Sequence, residues 1–397
     1  MARQRIGIEK LKPGMFVVEV SGTSSLSLGF SFKNFKIKSL DEVARLKEAG
    51  VQHLIVDTDK ATAVPYGSFL PPDPALFAEP TCTLKEEMNK ARQIQEQARR
   101  TLGRVMEHAL SDQPIEVKSL TPIVSHTLDS LVRNDQALLT LMHMKRYGEA
   151  LISHAFSVLS LATAMAQRLQ LSEGEIKIIG IAALLYDVGW LRLPANLVTK
   201  GRPFSEKEQK LVEQHPELGL HIAKKSSDLP EEVYGIIEQH HEYLNGEGYP
   251  SGLQAGQITP LAQIITVCDL YDMMVHGMMG YQGRTPNAAL KEIYNRAIAG
   301  KIDSTLIAYM VHLLGVYPLT SAVRLNTGEL AVVVEMNRKQ STLPKIKIFY
   351  DASTRKLETP IELDLSDQIE GVGVRCIDTI VDPNLPGVDP YGLLLPE

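Results

Sequence analysis

The chain is 397 residues long and carries 41 lysines and arginines against 47 aspartates and glutamates, a formal net charge of −6. That length fits two or three domains with a substantial core, and the negative balance argues against a nucleic-acid surface, where a basic stripe is expected. Three scattered cysteines, Cys82, Cys268 and Cys376, exclude a disulfide framework or a cysteine-rich zinc site, and no uninterrupted apolar stretch approaches the roughly 20 residues that span a bilayer.

Residues 1–62 mix β-rich runs, Phe16-Val17-Val18-Glu19-Val20 and Leu54-Ile55-Val56-Asp57, with a helix expected from Asp41 to Ala49 that stops at Gly50, so this stretch reads as a small α/β module. Its opening Met1-Ala2-Arg3-Gln4-Arg5 has no apolar leader behind it, and a reducing, cytoplasmic setting is the expectation. Residues 63–118 begin with Pro65, Gly67, Pro71, Pro72, Pro74 and Pro80, which break regular structure as a linker does. A charged helix follows from Leu84 to His108; its alternating charges suit a solvated connector or a dimer coil.

From 119 to 318 the apolar spacing is helical, as in Phe156, Leu159, Ala162, Thr163 and Ala166, and predicts a helical domain. Beyond Tyr317-Pro318 the pattern changes. Ala322-Val323-Arg324-Leu325, Leu330-Ala331-Val332-Val333-Val334 and Lys345-Ile346-Lys347-Ile348-Phe349, with Asn326-Thr327-Gly328 between the first two, predict a small antiparallel β extension within 319–397. The four prolines after Asp382 predict an irregular or disordered tail. The whole is expected to be mainly α, with small α/β and β parts at its two ends.

Chemistry concentrates at His240-His241-Glu242-Tyr243-Leu244-Asn245-Gly246-Glu247-Gly248-Tyr249-Pro250. Adjacent imidazoles are poor helix-core residues, but neutral imidazole is the commonest protein ligand for transition metals. Glycines after them allow the chain to double back. Further His and Asp residues fall on or at the ends of other predicted helices: His154, Asp187 in Tyr186-Asp187-Val188-Gly189-Trp190, His215 in His215-Pro216-Glu217-Leu218-Gly219, and Asp269 after Ile264-Ile265-Thr266-Val267-Cys268. Such a series can converge as a mixed nitrogen and oxygen metal site inside a bundle. Each member also has a plainer reading: His154 as a hydrogen-bonded core histidine, Asp187 as the cap of a helix starting near Leu191, and Met273, Met274, Met278 and Met279 as flexible filler.

Taken in order, Leu184-Leu185-Tyr186-Asp187-Val188-Gly189, the His215-Pro216-x-x-Gly219 step, His240 to Pro250 and Val267-Cys268-Asp269-Leu270-Tyr271-Asp272 resemble an HD-GYP protein, the helical phosphohydrolase branch associated with hydrolysis of cyclic di-GMP in bacteria. Leu11-Lys12-Pro13-Gly14-Met15-Phe16-Val17 and Val51-Gln52-His53-Leu54-Ile55-Val56-Asp57 similarly resemble the small domain that often precedes HD-GYP domains. The resemblance implies an HD-type helical bundle and two metals sharing the catalytic Asp187. One metal would use Asp187, His215, His240 and His241, and its companion His154, Asp187, Asp269 and the position of Tyr186. It also implies a substrate face at Trp190, Gly248, Tyr249 and Pro250.

The chain departs from that pattern at four places. Tyr186 replaces the signature histidine; Trp190 replaces a phosphate-facing lysine; Ala150 stands where a third metal would need a glutamate, with Glu149 about 100° round the helix; and Met278-Met279-Gly280 replaces an Arg-Pro-Tyr segment. A neutral phenol is a poor ligand. Trp190 reads either as packing that filled a decaying site or as a stacking face for a purine. The expectation is one transition metal per chain (iron, manganese, zinc or nickel) and a degraded phosphodiesterase site that acts by binding cyclic di-GMP or a partner such as a diguanylate cyclase domain, with a homodimer allowed. Against it stand an active phosphodiesterase with Tyr186 as an unusual ligand and Arg192 or Lys200 replacing the lost cations, and a purely structural role.

Overall fold

The computed structural model of the chain describes residues 80–143, 150–337 and most of 340–381, with short segments between 3 and 57. The expected linker at 65–79, Glu149 and the tail from 382 lie outside the described residues, as does most of the expected helix at 41–49. Near the N-terminus, β1 (Arg3–Gly7), β2 (Phe16–Ser21), β3 (Phe35–Lys36) and β4 (His53–Asp57) form an antiparallel sheet in the order β1-β4-β2-β3. Leu11, Val17, Val43, Leu46, Val51 and Leu54 close a small core of their own there.

Helix α1 (Leu84–Leu110) starts at a capping box: the Thr83 hydroxyl accepts from the Glu86 amide, and the Glu86 carboxylate accepts from the Thr83 amide. The structure corrects the reading of this helix as a solvated connector or dimer coil. Met88, Ala91, Ile94, Ala98, Leu102, Val105 and Ala109 recur at helical spacing and are buried in the same core as the rest of the helical body. Its other face carries most of the charges, among them Glu96, Arg99 and Arg100. Glu87 is fully buried and accepts two hydrogen bonds of 2.8 Å from Arg133, which ties α1 to α2 (Thr121–His143).

Helix α3 (Ala150–Arg168) has the length and apolar content to cross a bilayer, but 83% of its most apolar window is buried inside the fold. It packs against α2, α4 (Glu173–Leu185) and α8 (Pro260–His276). A second capping box, Ser172 with Glu175, starts α4. The chain then turns through Tyr186 and Asp187 into a 3-10 turn, Val188–Arg192, and Asp187 makes no side-chain cap there. Helices α5 (Glu206–Val212), α6 (His215–Ala223) and α7 (Glu231–Gln239) lead to α8, followed by α9 (Pro286–Ile298) and α10 (Ser304–Leu314).

As expected, the fold is mainly helical with a small antiparallel sheet at the C-terminal side. β5 (Ala322–Leu325), β6 (Leu330–Glu335), β7 (Lys345–Tyr350), β8 (Lys356–Asp364) and β9 (Ile377–Ile380) assemble in the order β8-β7-β6-β5-β9. Val323, Leu325, Ala331, Val333, Ile346 and Ile348 alternate along three of these strands to make its core.

Candidate metal centre

Five separate elements deliver the donors. His154 comes from α3, Asp187 from the turn after α4, His215 from the first position of α6, His240 and His241 from the end of α7, and Asp269 from the middle of α8. All six are buried. They fall into two sets whose donor atoms lie within 4.8 Å of one another: Asp187, His215, His240 and His241, and His154, Asp187 and Asp269. Asp187 belongs to both. Its Oδ1 lies 3.3 Å from His215 Nε2 and 3.4 Å from His240 Nε2, and its Oδ2 lies 3.4 Å from His154 Nε2.

Hydrogen bonding fixes the imidazoles in a ligand-ready form. His215 Nδ1 sits 2.7 Å from the Val212 carbonyl and His240 Nδ1 sits 2.8 Å from the Ile237 carbonyl. A carbonyl only accepts, so each Nδ1 carries the proton and each Nε2 presents a lone pair. Yet the two Nε2 atoms are 3.0 Å apart. Facing lone pairs at that distance, beside a carboxylate, repel unless a cation lies among them. Both oxygens of Asp187 and Oδ2 of Asp269 are buried without a hydrogen-bond partner among the described residues, a cost that a coordinated cation removes. These donors therefore fit a transition metal ion.

Electrostatics agree for this set. Burial alone would raise the Asp187 carboxyl, but the imidazoles of His154, His215 and His240 outweigh it and hold it well below the ordinary carboxylate value. His241 is pushed well below the usual imidazole value by burial and by its neighbours His240 and His215, so it remains neutral.

The other set is different. His154 Nδ1 lies 2.7 Å from Asp272 Oδ2, and its Nε2 lies 2.9 Å from Asp269 Oδ1. Tyr186, 0% exposed, places its hydroxyl 2.7 Å from His154 Nε2 and 2.8 Å from Asp269 Oδ1. Burial, then the charges of Asp187 and Asp269, push the phenol well above its ordinary value, so it is held neutral. A neutral hydroxyl thus engages His154 Nε2 and Asp269 Oδ1, two of the donor atoms that a second ion would need.

The residues expected at a substrate face divide. Trp190 is 2% exposed, stacked on the His215 ring with centroids 5.0 Å apart, and its indole N–H has no acceptor among the described residues. With His215 and Phe204 beside its ring, it is buried in this structure. Gly248 is structural, since a Cβ there would lie 2.4 Å from the Tyr243 amide nitrogen and 2.5 Å from the His241 carbonyl oxygen. The half-buried Tyr249 stacks on His241 at 4.7 Å and is followed by half-buried Pro250. Arg192 is held by the Ala109 carbonyl and Asp112, and Lys200 by Glu208, so both are engaged as structural contacts.

Two residues of the quoted motifs have roles that sequence reasoning left unassigned. Asp272 lies one helical turn beyond Asp269 and orients His154. Buried Glu242 accepts from the amides of Ser251 (2.7 Å) and Leu253 (2.9 Å) and so fixes the loop carrying Tyr249. The i, i+3 spacing of the two aspartates was the available signal for the first.

Comparison with known proteins agrees with this geometry. A family model described as an HD domain matches residues 118–306. A cyclic di-GMP phosphodiesterase of Pseudomonas aeruginosa is 28% identical over 364 residues, which covers 89% of this chain and 86% of that protein. The helical body of the chain is thus similar to HD domains. Two more family models match the chain, a domain of unknown function at residues 3–120 and a KOW domain associated with HD domains at 322–379. The cyclic di-GMP phosphodiesterase response regulator RpfG of Xanthomonas campestris pv. campestris is 34% identical over 132 residues, 33% of this chain and 35% of that protein. Among solved structures, an HDG"Y"P protein from Bdellovibrio bacteriovorus aligns with a TM-score of 0.49 at 21% identity, over 78% of this chain and 98% of that one.

Proposed function

We propose that this chain is an HD-GYP-type cyclic di-GMP signalling protein that holds one transition metal and hydrolyses the nucleotide slowly or not at all, acting through nucleotide or partner binding. The observation that carries this reading is the Tyr186 hydroxyl, buried and hydrogen-bonded to both His154 and Asp269. The cyclic di-GMP phosphodiesterases similar to the chain supply the nucleotide.

Asp187, His215, His240 and His241 would hold the ion, and three imidazoles with one carboxylate admit iron, manganese, zinc or nickel. A bound ion there supplies Lewis acidity toward a phosphoryl oxygen. The protein's own part is to keep the His215 and His240 tautomers fixed, to keep His241 neutral, and to exclude water from a set buried on all sides. The His154, Asp187 and Asp269 set lacks an imidazole, and Trp190 and Met278 put no cation beside it. Loss of one electrostatic stabiliser of this kind typically costs about 10² to 10³ in rate.

The test is metal content per chain on anaerobically purified protein, together with turnover of cyclic di-GMP. Near one metal is expected, His240→Ala should strip it, and Tyr186→His should raise the content toward two. Two tightly held metals in the parent, with robust hydrolysis that disappears in Asp187→Ala, would turn the reading to a working phosphodiesterase.

A further inference from the structure

Arg296 of α9 lies between the loops that leave the two metal-binding helices. Its Nη1 donates to the Tyr243 hydroxyl at 2.9 Å and approaches the Tyr281 hydroxyl at 3.4 Å, and its guanidinium lies 5.5 Å from the Tyr281 ring centroid. Tyr243 follows His240-His241-Glu242 directly, and Tyr281 follows the helix that carries Asp269. Tyr249 stacks on His241 with ring centroids 4.7 Å apart. Lys301, paired with Glu247 at 2.8 Å, lies 5.5 Å from the Tyr243 ring centroid.

The ion pair of Arg296 with Glu292 is a loose one on the Nε side, 3.6 Å and outside hydrogen-bond range, and the Arg296 side chain is 21% exposed. Each phenol oxygen accepts from the guanidinium, so its own O–H must point elsewhere, and no acceptor for it is found among the described residues. Two outward hydroxyl donors backed by one guanidinium make a site for an anionic oxygen.

We propose that Arg296, with the Tyr243 and Tyr281 hydroxyls it backs, contacts a phosphate oxygen of the cyclic dinucleotide at the mouth of the metal site. The inference rests on the cyclic di-GMP reading above and deepens it. It places the phosphate-binding charge on α9, not at Arg192 or Lys200.

The experiment is calorimetric titration of the full-length, metal-containing protein with cyclic di-GMP at several salt concentrations. Arg296→Gln should weaken binding about tenfold or more and flatten its decline with salt, Arg296→Lys should fall between, and Tyr281→Phe should weaken it several-fold. Metal content should not change. Equal affinity and an equal salt dependence in Arg296→Gln would overturn the assignment while leaving the nucleotide reading in place; a parent protein that does not bind cyclic di-GMP overturns that reading and this one with it. If Arg296→Gln fails to fold, Arg296→Lys and Tyr281→Phe decide, and parent-like binding in both counts against the site.

Discussion

Gly189 shows how closely the backbone is drawn around the donors. A Cβ at this position would lie 1.9 Å from the His215 carbonyl oxygen and 2.6 Å from the Gly219 amide nitrogen, and both are main-chain atoms that cannot swing aside. Gly189→Ala should therefore force the 3-10 turn and α6 apart, at a cost of about 3 kcal/mol or more, and displace His215 from its metal-binding position. Urea unfolding and metal content check this together, and a variant with parental values for both would refute it. At this scale the donors were legible, because six His and Asp residues in ordered motifs signal a shared site. The orientation of Trp190 was not, since whether an indole faces a pocket or stacks on His215 depends on how Phe204 and α6 pack against it. Asp272 was quoted without a role for a similar reason: its partner His154 is 118 residues away.

Helix α1 shows the same limit for a whole element. Its charged face was read correctly, but the buried stripe includes Ala91, Ala98, Thr101 and Ala109, small side chains that give a weak apolar signal. Those small residues are what let α2 and α3 approach. The ion pair of Glu87 with Arg133 completes the contact and carries a pH dependence. Burial works against the Glu87 charge, but the hydrogen bonds and positive charge of Arg133 outweigh it and leave the carboxyl below its ordinary value. A depressed carboxyl contributes stability that is present above its unfolded-state value and is lost as pH falls through the folded one. Thermal midpoints should thus fall more steeply below about pH 5 in the parent than in Glu87→Gln, which should be less stable than the parent at neutral pH. Parallel curves for the two proteins would count against the role given to this pair.

Across the whole molecule, one continuous core runs from Met88 to Leu314, while the N-terminal and C-terminal sheets keep cores of their own. Periodicity in the sequence announced the helical body and the late strands. It could not give the order β8-β7-β6-β5-β9, because β9 returns from Ile377 to pair with β5 across some fifty residues of chain. Since Asp187, His215, His240 and His241 come from the turn after α4, from α6 and from the end of α7, an ion would cross-link three elements of the large core. Chelation should lower the thermal midpoint of the helical body, and the lost stabilisation is about 2.7 kcal/mol when the free ion stands at a hundred times its Kd. His240→Ala should already sit at the lower midpoint and ignore the chelator. A midpoint that chelation leaves untouched in the parent would contradict the cross-link.

The two halves of the centre differ in what aims their imidazoles. His215 and His240 are held by main-chain carbonyls, whereas His154 is held by the side chain of Asp272. A carbonyl survives any replacement of its own residue that preserves the helix, so the first half is insulated from mutational drift. The second half can be unset by a single codon change at 272 or 186. A site built this way would lose any capacity for a second ion long before it lost the capacity to hold one, and single-ion descendants should be easy to reach and hard to reverse.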